Sequence, residues 1–361
     1  MWLMIFAVVA TLLLFWHKVA FPLEEIKETE SYSIIIPARN EAENLKRLLP
    51  SILAQKSIHQ EVLVVDDDSD DNTSEIARSY GVKVVTPPPI PSDWQGKSWA
   101  CYHGAKESSG RTLFFLDADT WFSPDGPNRI IQFAEAQEKE CLITIHPYHE
   151  MRSFWEKLSS VFHMIVFLSS GITNFFRNRM NTHGGFGPCL IIKADTYWRL
   201  EGHFSIRGEI VEHLALARRA GKQGVRTFAY SGKKVVHMRM YPSRFSAVVN
   251  GWSKSFASGA RTASPVLSIV SIIWVSLIIS FLVNMIHIGW WSSIIYVILS
   301  CLLYRFLKQV GTFHWYDAAL FPVHFFFFVI VFAYSFLNSF LFKQTTWKGR
   351  QIAGNKGKDS S

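Results

Sequence analysis

Charged residues and cysteines are both scarce in this 361-residue chain. Asp, Glu, Lys and Arg make up 18% of the residues, against about 25% in a typical soluble protein. Hydrophobic residues make up 49% and are concentrated in a few long runs, which indicates membrane segments beside a soluble domain. The four cysteines include no Cys-x-x-Cys pair, so we expect reduced, packed thiols in a cytoplasmic domain rather than disulfides or zinc.

Lys and Arg exceed Asp and Glu, which gives a net charge of +8 and a pI near 9.2. The chain nevertheless lacks a basic helix with interleaved aromatic residues, and it lacks any nucleic-acid-binding motif. We therefore expect no nucleic-acid partner. The excess positive charge favours the phosphates of anionic lipid or of a sugar nucleotide.

Long apolar runs occur at both ends of the chain. The run from Met1 to Trp16 lacks an early basic region and a cleavage site, which predicts an uncleaved membrane anchor within residues 1–20. Three further runs predict membrane segments within residues 265–342. These runs are residues 265–287, 289–307 and 318–342.

The polar, basic tail at residues 343–361 bears on the topology. The positive-inside tendency places both this tail and the soluble domain in the cytoplasm, which requires an even number of crossings between them. Three apolar runs separate them. Either the middle run is re-entrant or the tail lies outside, and in both cases we expect a multi-pass protein of the cell membrane.

Residues 31–260 carry the pattern of an α/β domain. Short apolar runs alternate with amphipathic segments, which predicts a mostly parallel, doubly wound sheet. Asn40 and Glu43 form a capping-box-like start for a helix that reaches about Gln55. The apolar segment Leu158 to Phe176 contains His163 and four serines, so we expect an interfacial or buried helix rather than a membrane span.

Polar side chains follow the first strands at three places. Asp66-Asp67 ends the second strand, Gly96-Lys97 opens a helix, and Asp117-Ala118-Asp119 follows the apolar run at residues 111–116. Open α/β sheets bind ligands at the carboxyl ends of their strands. A carboxylate can accept from a base and a ribose, a lysine attracts phosphate, and a carboxylate pair can hold a divalent cation.

Each of these signals has a simpler structural interpretation. Asp66-Asp67 can cap a helix, Lys97 can be a solvated surface lysine, and Asp117 to Asp119 can be a turn after a strand. The residues alone leave these alternatives open.

Taken together and in order, four motifs resemble the inverting glycosyltransferases of family 2. They are SIIIPARNE, VLVVDDDSDDNT, GKSWA and FLDAD. The resemblance implies the nucleotide-diphospho-sugar transferase (GT-A type) fold with membrane helices at both ends. It also implies that Asp67 contacts the uracil, that Lys97 and Asp117 bind the donor, and that Asp119 is the principal ligand of Mg²⁺ or Mn²⁺.

The resemblance continues into the helix that begins near Glu212. The family usually has Glu-Asp there, whereas this chain has Glu212-His213. The resemblance implies Glu212 as the catalytic base, with Glu209 in reserve. The alternative for Glu212 is a first-turn carboxylate that complements the helix dipole.

The segment RMYPSRFSAVVNGWSKSFASGA, residues 239–260, is similar to the members of the family that glycosylate carotenoid or hopanoid-type lipids. This implies a membrane enzyme that moves glucose from UDP-glucose to the carboxyl group of a C30 carotenoid acid. Arg239, Trp252 and Lys254 then become candidates for binding the diphosphate, or else anchors at the membrane interface. The alternative acceptors are a polyprenyl phosphate, another membrane lipid or a hopanoid.

A carboxylic acid acceptor offers a hypothesis for His213. Such an acid is already ionised at neutral pH, whereas an alcohol acceptor must lose a proton during the reaction. An enzyme for an acid acceptor therefore depends less on a strong base in this helix.

Overall fold

A computed structural model describes most of the chain. The described residues are 2–22, 30–54, 60–137, 139–177, 185–209, 211–241, 244–259, 264–287, 289–341, 346–347 and 350–351. The side chains of residues 254–259, of residue 286 and of every residue after 337 are outside this description.

Strands and helices alternate through the first half of the chain, as the apolar periodicity predicts. The strands are β1 (Tyr32–Ala38), β2 (Gln60–Asp66), β3 (Lys83–Val85), β4 (Thr112–Leu116), β5 (Thr120–Phe122), β6 (Cys141–His146), β7 (Tyr148–His149), β8 (Cys189–Lys193), β9 (Arg226–Ser231), β10 (Val236–Met238), β11 (Thr346–Trp347) and β12 (Arg350–Gln351).

The helices are α1 (Trp2–Leu14), α2 (Ala42–Leu53), α3 (Thr73–Ser79), α4 (Gly96–Lys106), α5 (Gly126–Glu135), α6 (Phe154–Lys157), α7 (Ser160–Ser170), α8 (Ala194–Arg199), α9 (Glu212–Lys222), α10 (Phe245–Gly259), α11 (Pro265–Asn284), α12 (Trp291–Val310), α13 (Trp315–Ala319) and α14 (Phe321–Leu341). Two short 3-10 helices occupy Gly202–Ile206 and Met285–His287.

The central sheet has seven strands in the order β3-β2-β1-β4-β8-β6-β9. Its pairs are parallel except at β8, which runs antiparallel to both β4 and β6. The prediction of a mostly parallel sheet is confirmed, and β8 is its antiparallel member. The chain enters β8 beside the carboxyl end of β4, where Asp117 N–H donates to the Pro188 carbonyl at 2.9 Å, so the strand must run back.

Two buried apolar layers cover the faces of this sheet. One contains Ile34, Ile36 and the apolar face of α2, and the other contains Ile35, Phe115 and the inward residues of α4 and α9. Because residues i and i+1 of a strand point to opposite faces, the unbroken apolar runs of β1 and β4 serve both layers.

Helix α2 does not begin with the expected capping box. Asn40 has a left-handed φ of 54°, and its side-chain oxygen accepts from Asp70 N–H at 2.8 Å. The helix starts at Ala42, whose N–H instead meets Asp71 Oδ2 at 3.2 Å. Asn40 therefore joins two loops at the sheet edge and leaves the helix end to Asp71.

A separate helical layer, formed by α1, α7, α10, α11, α12 and α14, surrounds a third apolar cluster. Trp274 of α11 donates its indole N–H to Thr11 of α1 at 2.9 Å, and Arg305 of α12 donates to the Phe15 carbonyl at 2.8 Å. Helices α11 and α12 are each 20 residues long and apolar enough to cross a membrane, with mean hydropathies of 2.7 and 1.5. Helices α1 and α14 are shorter in their apolar parts.

Helix α7 lies inside this helical layer. The segment Leu158 to Phe176, which contains α7, was expected to form an interfacial or buried helix, and Val161, Phe162, Phe167 and Leu168 of α7 are all buried. The prediction of a buried helix is confirmed.

Candidate active site

The carboxyl ends of β1, β2 and β4 converge at one edge of the sheet. Asp67 follows β2, and its N–H donates to the Ala38 carbonyl at the end of β1 at 2.9 Å. The Asp67 carboxylate lies against the first residue of α4, because a Cβ on Gly96 would stand 2.6 Å from Asp67 Oδ2. A side chain at Gly96 would displace the Asp67 carboxylate, so the end of the second strand and α4 approach closely at this point.

Lys97 joins two carboxylates at this edge. Its Nζ lies 2.7 Å from Asp117 Oδ1 and 2.7 Å from Glu212 Oε1. Because Asp117 follows β4 and Glu212 begins α9, the lysine on α4 links three elements that are far apart in sequence. Asp67, Lys97, Asp117, Asp119 and Glu212 are called the site cluster below.

Charge controls the protonation of the site cluster. Burial alone would lower the pKa of Lys97, but the carboxylates of Asp117 and Glu212 raise it, so the side chain stays protonated. Burial raises the pKa of Asp117, and Lys97 opposes that rise.

Among the described residues no ammonium forms an ion pair with Asp119, and Lys97 only partly opposes the rise of its pKa. The low-dielectric surroundings raise the pKa of Asp119 to about 7, and the neighbouring carboxylates of Asp117 and Glu41 contribute to the rise, although the side chain is reachable from solvent. The protein thus gathers negative charge at an accessible oxygen ligand. This donor set fits a hard divalent cation such as Mg²⁺ or Mn²⁺, which prefers carboxylate oxygens.

Asp66 and Asp67 play different parts. Asp66 accepts from Ser69 N–H at 3.0 Å and from the Ser74 hydroxyl, and so holds the loop that leads into α3. The structural interpretation is therefore correct for Asp66, while Asp67 is the member of the pair that faces Gly96.

His213 does not line the site. Its side chain is fully buried below α9, and its Nδ1 bonds to the Gly187 carbonyl. Glu212 is the residue at the start of this helix that reaches Lys97. Glu209, the reserve candidate, is exposed, and its N–H donates to the Ile206 carbonyl at 2.9 Å.

Two of the three candidates from residues 239–260 contact residues outside the site cluster. Arg239 forms a two-point ion pair with Glu156, with N–O distances of 2.8 and 3.1 Å. Trp252 is buried, donates to Ser159 Oγ at 2.8 Å and stacks on Phe162 with ring centroids 4.8 Å apart. Lys254 lies in α10, but its side chain is outside the described residues.

Sequence reasoning missed two contributors at the end of β1. Arg39 donates to the Asp67 carbonyl at 3.0 Å, which fixes the loop that carries Asp67. Glu41 adds negative charge beside Asp117 and Asp119. Both residues stand in the motif SIIIPARNE, so their position directly after a strand was the available signal.

The family model for "Glycosyl transferase family 2" matches residues 33–200, which contain β1 to β8 and every member of the site cluster except Glu212. A protein of Staphylococcus haemolyticus named 4,4'-diaponeurosporenoate glycosyltransferase is 33% identical over 348 residues, which cover 91% of this chain and 90% of the relative. The chain belongs to glycosyltransferase family 2.

Two further proteins, one compared by sequence and one by structure, are similar to this family 2 chain over most of its length. A Staphylococcus aureus protein, also named 4,4'-diaponeurosporenoate glycosyltransferase, is 28% identical over 337 residues, with 91% of this chain and 89% of the relative covered. The solved mannosyltransferase of Pyrobaculum calidifontis, in complex with GDP-Man and Mn²⁺, superposes with a TM-score of 0.54 at 15% identity and covers 94% of this chain and 96% of its own. The family 2 enzyme described here therefore has the GT-A fold and is a glycosyltransferase.

Proposed function

We propose that this glycosyltransferase transfers glucose from UDP-glucose to the carboxyl group of 4,4'-diaponeurosporenoate, a C30 carotenoid acid, at the cell membrane. The observation that supports the proposal is the length of chain over which the sequence is similar to the two Staphylococcus proteins. It covers about nine-tenths of each chain and so extends past residues 33–200 into the helical layer. A lipid acceptor would be recognised in that layer.

The site cluster supports a sugar-nucleotide donor. In this proposal Asp67, beside Gly96, binds the uracil, and Asp117 lies near the ribose and the diphosphate. Asp119 would hold Mg²⁺ or Mn²⁺, which when bound would neutralise charge on the departing diphosphate. Lys97 presents an ammonium, fixed between two carboxylates, toward the same phosphates.

The reaction is one displacement that inverts the anomeric carbon. An oxygen of the acceptor carboxylate forms the new bond to that carbon, while the bond from the carbon to the phosphate oxygen breaks. UDP leaves with the electron pair, and no proton needs to be removed from an ionised acid. The lysine and the cation-binding aspartate then act by stabilising negative charge on the leaving group.

Glu212 is proposed as the catalytic base for an acceptor that must lose a proton; with an ionised acid it has no proton to remove and instead holds the Lys97 ammonium. One of its oxygens is already 2.7 Å from Lys97, which supports a role in holding the ammonium and the acceptor in place. We expect Glu212→Gln to slow transfer to a carotenoid alcohol much more than transfer to the carotenoid acid. Equal, large losses with both acceptors would contradict this assignment.

Arg239, Trp252 and Lys254 are proposed to serve the acceptor side. The Arg239–Glu156 pair joins the end of β10 to α6, and the buried Trp252 joins α10 to the start of α7, at the border between the sheet domain and the helical layer. This arrangement supports a role in shaping the approach of a lipid, with the catalytic domain in the cytoplasm and the helical layer in the bilayer.

The decisive experiment incubates membranes that contain the enzyme with labelled UDP-glucose and 4,4'-diaponeurosporenoate, with and without EDTA. We expect a glucosyl ester that forms only with the divalent cation, and none with Asp119→Asn. Parallel reactions contain undecaprenyl phosphate as acceptor or GDP-mannose as donor. Transfer only to the polyprenyl phosphate would overturn the acceptor, and activity only with GDP-mannose would overturn the donor.

A further inference from the structure

Three metal-binding side chains meet in the core directly behind the site cluster. They are Cys101 of α4, His203 of the 3-10 helix Gly202–Ile206, and His213 of α9. One ligand atom of each lies within 4.8 Å of the other two, and all three side chains are fully buried. Metal–ligand bonds of about 2.0–2.3 Å at tetrahedral angles place ligand atoms about 3.5 Å apart, so small side-chain rotations would bring these atoms onto one ion.

The hydrogen bond of His213 leaves its Nε2 available to a metal, and His203 can present the same atom. His213 Nδ1 bonds to the Gly187 carbonyl, which can only accept, so Nδ1 carries the proton and Nε2 has a free lone pair. His203 Nδ1 lies 3.0 Å from the Tyr197 hydroxyl, and Nε2 of His203 is free to bind a metal in the tautomer whose Nδ1–H donates to that hydroxyl. A backbone carbonyl that accepts from the far nitrogen, as at His213, is a usual support for a metal-bound histidine.

Both Nε2 atoms lack a hydrogen-bond partner among the described residues, although the side chains are buried. A buried polar atom without a partner is costly, and native proteins rarely retain one without a reason. A bound cation would satisfy both nitrogens and the sulfur of Cys101 together.

We propose, contrary to the expectation from the cysteine spacing alone, that Cys101, His203 and His213 bind one Zn²⁺ ion at a site separate from Asp119. A thiolate and two imidazoles form a ligand set that selects zinc over the Mg²⁺ or Mn²⁺ suited to carboxylate oxygens. Binding releases the thiol proton of Cys101 to solvent and leaves the fourth position of the ion for a water molecule.

A second histidine group, His146, His149 and His163, is also buried with its ligand atoms within 4.8 Å of one another. It contains no thiolate, so a dication there would have no anionic ligand to compensate its charge. The site with Cys101 is therefore the one proposed, and metal at the second group is an outcome that the experiment must separate.

The zinc site would position the catalytic machinery. Cys101 is one helical turn after Lys97 on α4, and His213 directly follows Glu212 on α9. An ion between Cys101 and His213 would therefore fix the two helices whose first turns carry the Lys97–Glu212 pair. In this proposal His213 is a metal ligand and does not act on the acceptor.

The test is metal analysis of the full chain purified in detergent with excess Mg²⁺, which displaces zinc from carboxylate sites. We expect about one zinc per chain by mass spectrometry, loss of nearly all of it in Cys101→Ser, and full retention in the matched control Cys141→Ser, which replaces another buried free thiol. His149→Gln should also retain the zinc. Zinc kept by Cys101→Ser but lost from His149→Gln would overturn the assignment.

A spectroscopic measurement on the unmutated protein covers the case in which Cys101→Ser fails to fold. Replacement of zinc by Co²⁺ should give a thiolate-to-cobalt charge-transfer band, which must persist in Cys141→Ser. A folded, cobalt-loaded protein without this band, or a zinc content near zero before any chelator is used, would refute the site. Neither readout depends on the donor or the acceptor, so failure here leaves the proposed glucosyl transfer untouched.

Discussion

Lys97 is the residue on which the charge balance of the site cluster depends, since its ammonium separates Asp117 from Glu212. We expect Lys97→Met to lower kcat/KM by about 100-fold or more, because two carboxylates lose their counter-charge and the departing UDP loses a cation. Steady-state kinetics with UDP-glucose measures the change. Lys106→Met, an exposed lysine on the same helix, is the matched control and should remain active. Near-normal activity of Lys97→Met would remove Lys97 from the catalytic machinery.

The pKa of Asp119, raised to about 7 by its low-dielectric surroundings and by nearby carboxylates, should make the proposed cation binding pH-dependent. Below pH 7 a proton competes with the cation, so the affinity for Mn²⁺ should fall by up to about tenfold per pH unit and level off above pH 7. Titration of Mn²⁺ between pH 5.5 and about 8 by calorimetry measures it. Asp119→Asn should abolish this dependence, and the exposed Asp195→Asn should not. Affinity that is flat across this range would show that another group holds the cation.

Among the elements, those that follow from local pattern were predictable. The apolar run of β4 predicted a buried strand, because a buried strand requires consecutive apolar residues in the sequence. The carboxylates Asp117 and Asp119 directly after it predicted the edge of the sheet where ligands bind. The direction of β8 was not predictable, since an apolar strand reads the same in either direction. The meeting of Cys101 with His213 was equally hidden, because each lies in a different helix and only packing brings them together.

Helix α7 offers a test of whether the proposed donor and acceptor functions depend on different parts of the chain. Its residue Phe167 is fully buried and contacts Phe186 and Phe306 within the helical layer, away from the two layers that cover the sheet. We expect Phe167→Ala to lower the free energy of unfolding by about 3–5 kcal/mol. Below the melting temperature, UDP binding should persist while transfer to the lipid is lost.

Thermal unfolding and calorimetric UDP titration of the purified protein test this separation. Phe154→Ala, which removes an exposed ring from the neighbouring α6, serves as the control and should change neither quantity appreciably. If Phe167→Ala loses UDP binding while still folded, α7 supports the donor site as well, and the two functions are not separable at this helix.

For the molecule as a whole, the proposed function requires the helical layer to meet the bilayer, and the thiol of Cys301 can test this. Cys301 is the only exposed cysteine of the four, all of which the structure describes, and it lies midway along α12, beside the outward-facing Val297 and Ile298. If α12 spans the membrane, Cys301 is in hydrocarbon, where a charged maleimide cannot reach it. We expect less than about a tenth of the chains to be labelled in intact membranes, and full labelling after denaturation in detergent.

Ser293→Cys, which adds an exposed cysteine near the start of the same helix, should be labelled without denaturation because it lies near the interface. Rapid labelling of Cys301 in membranes would place α12 outside the bilayer, and the acceptor would then have to reach the site cluster by another surface.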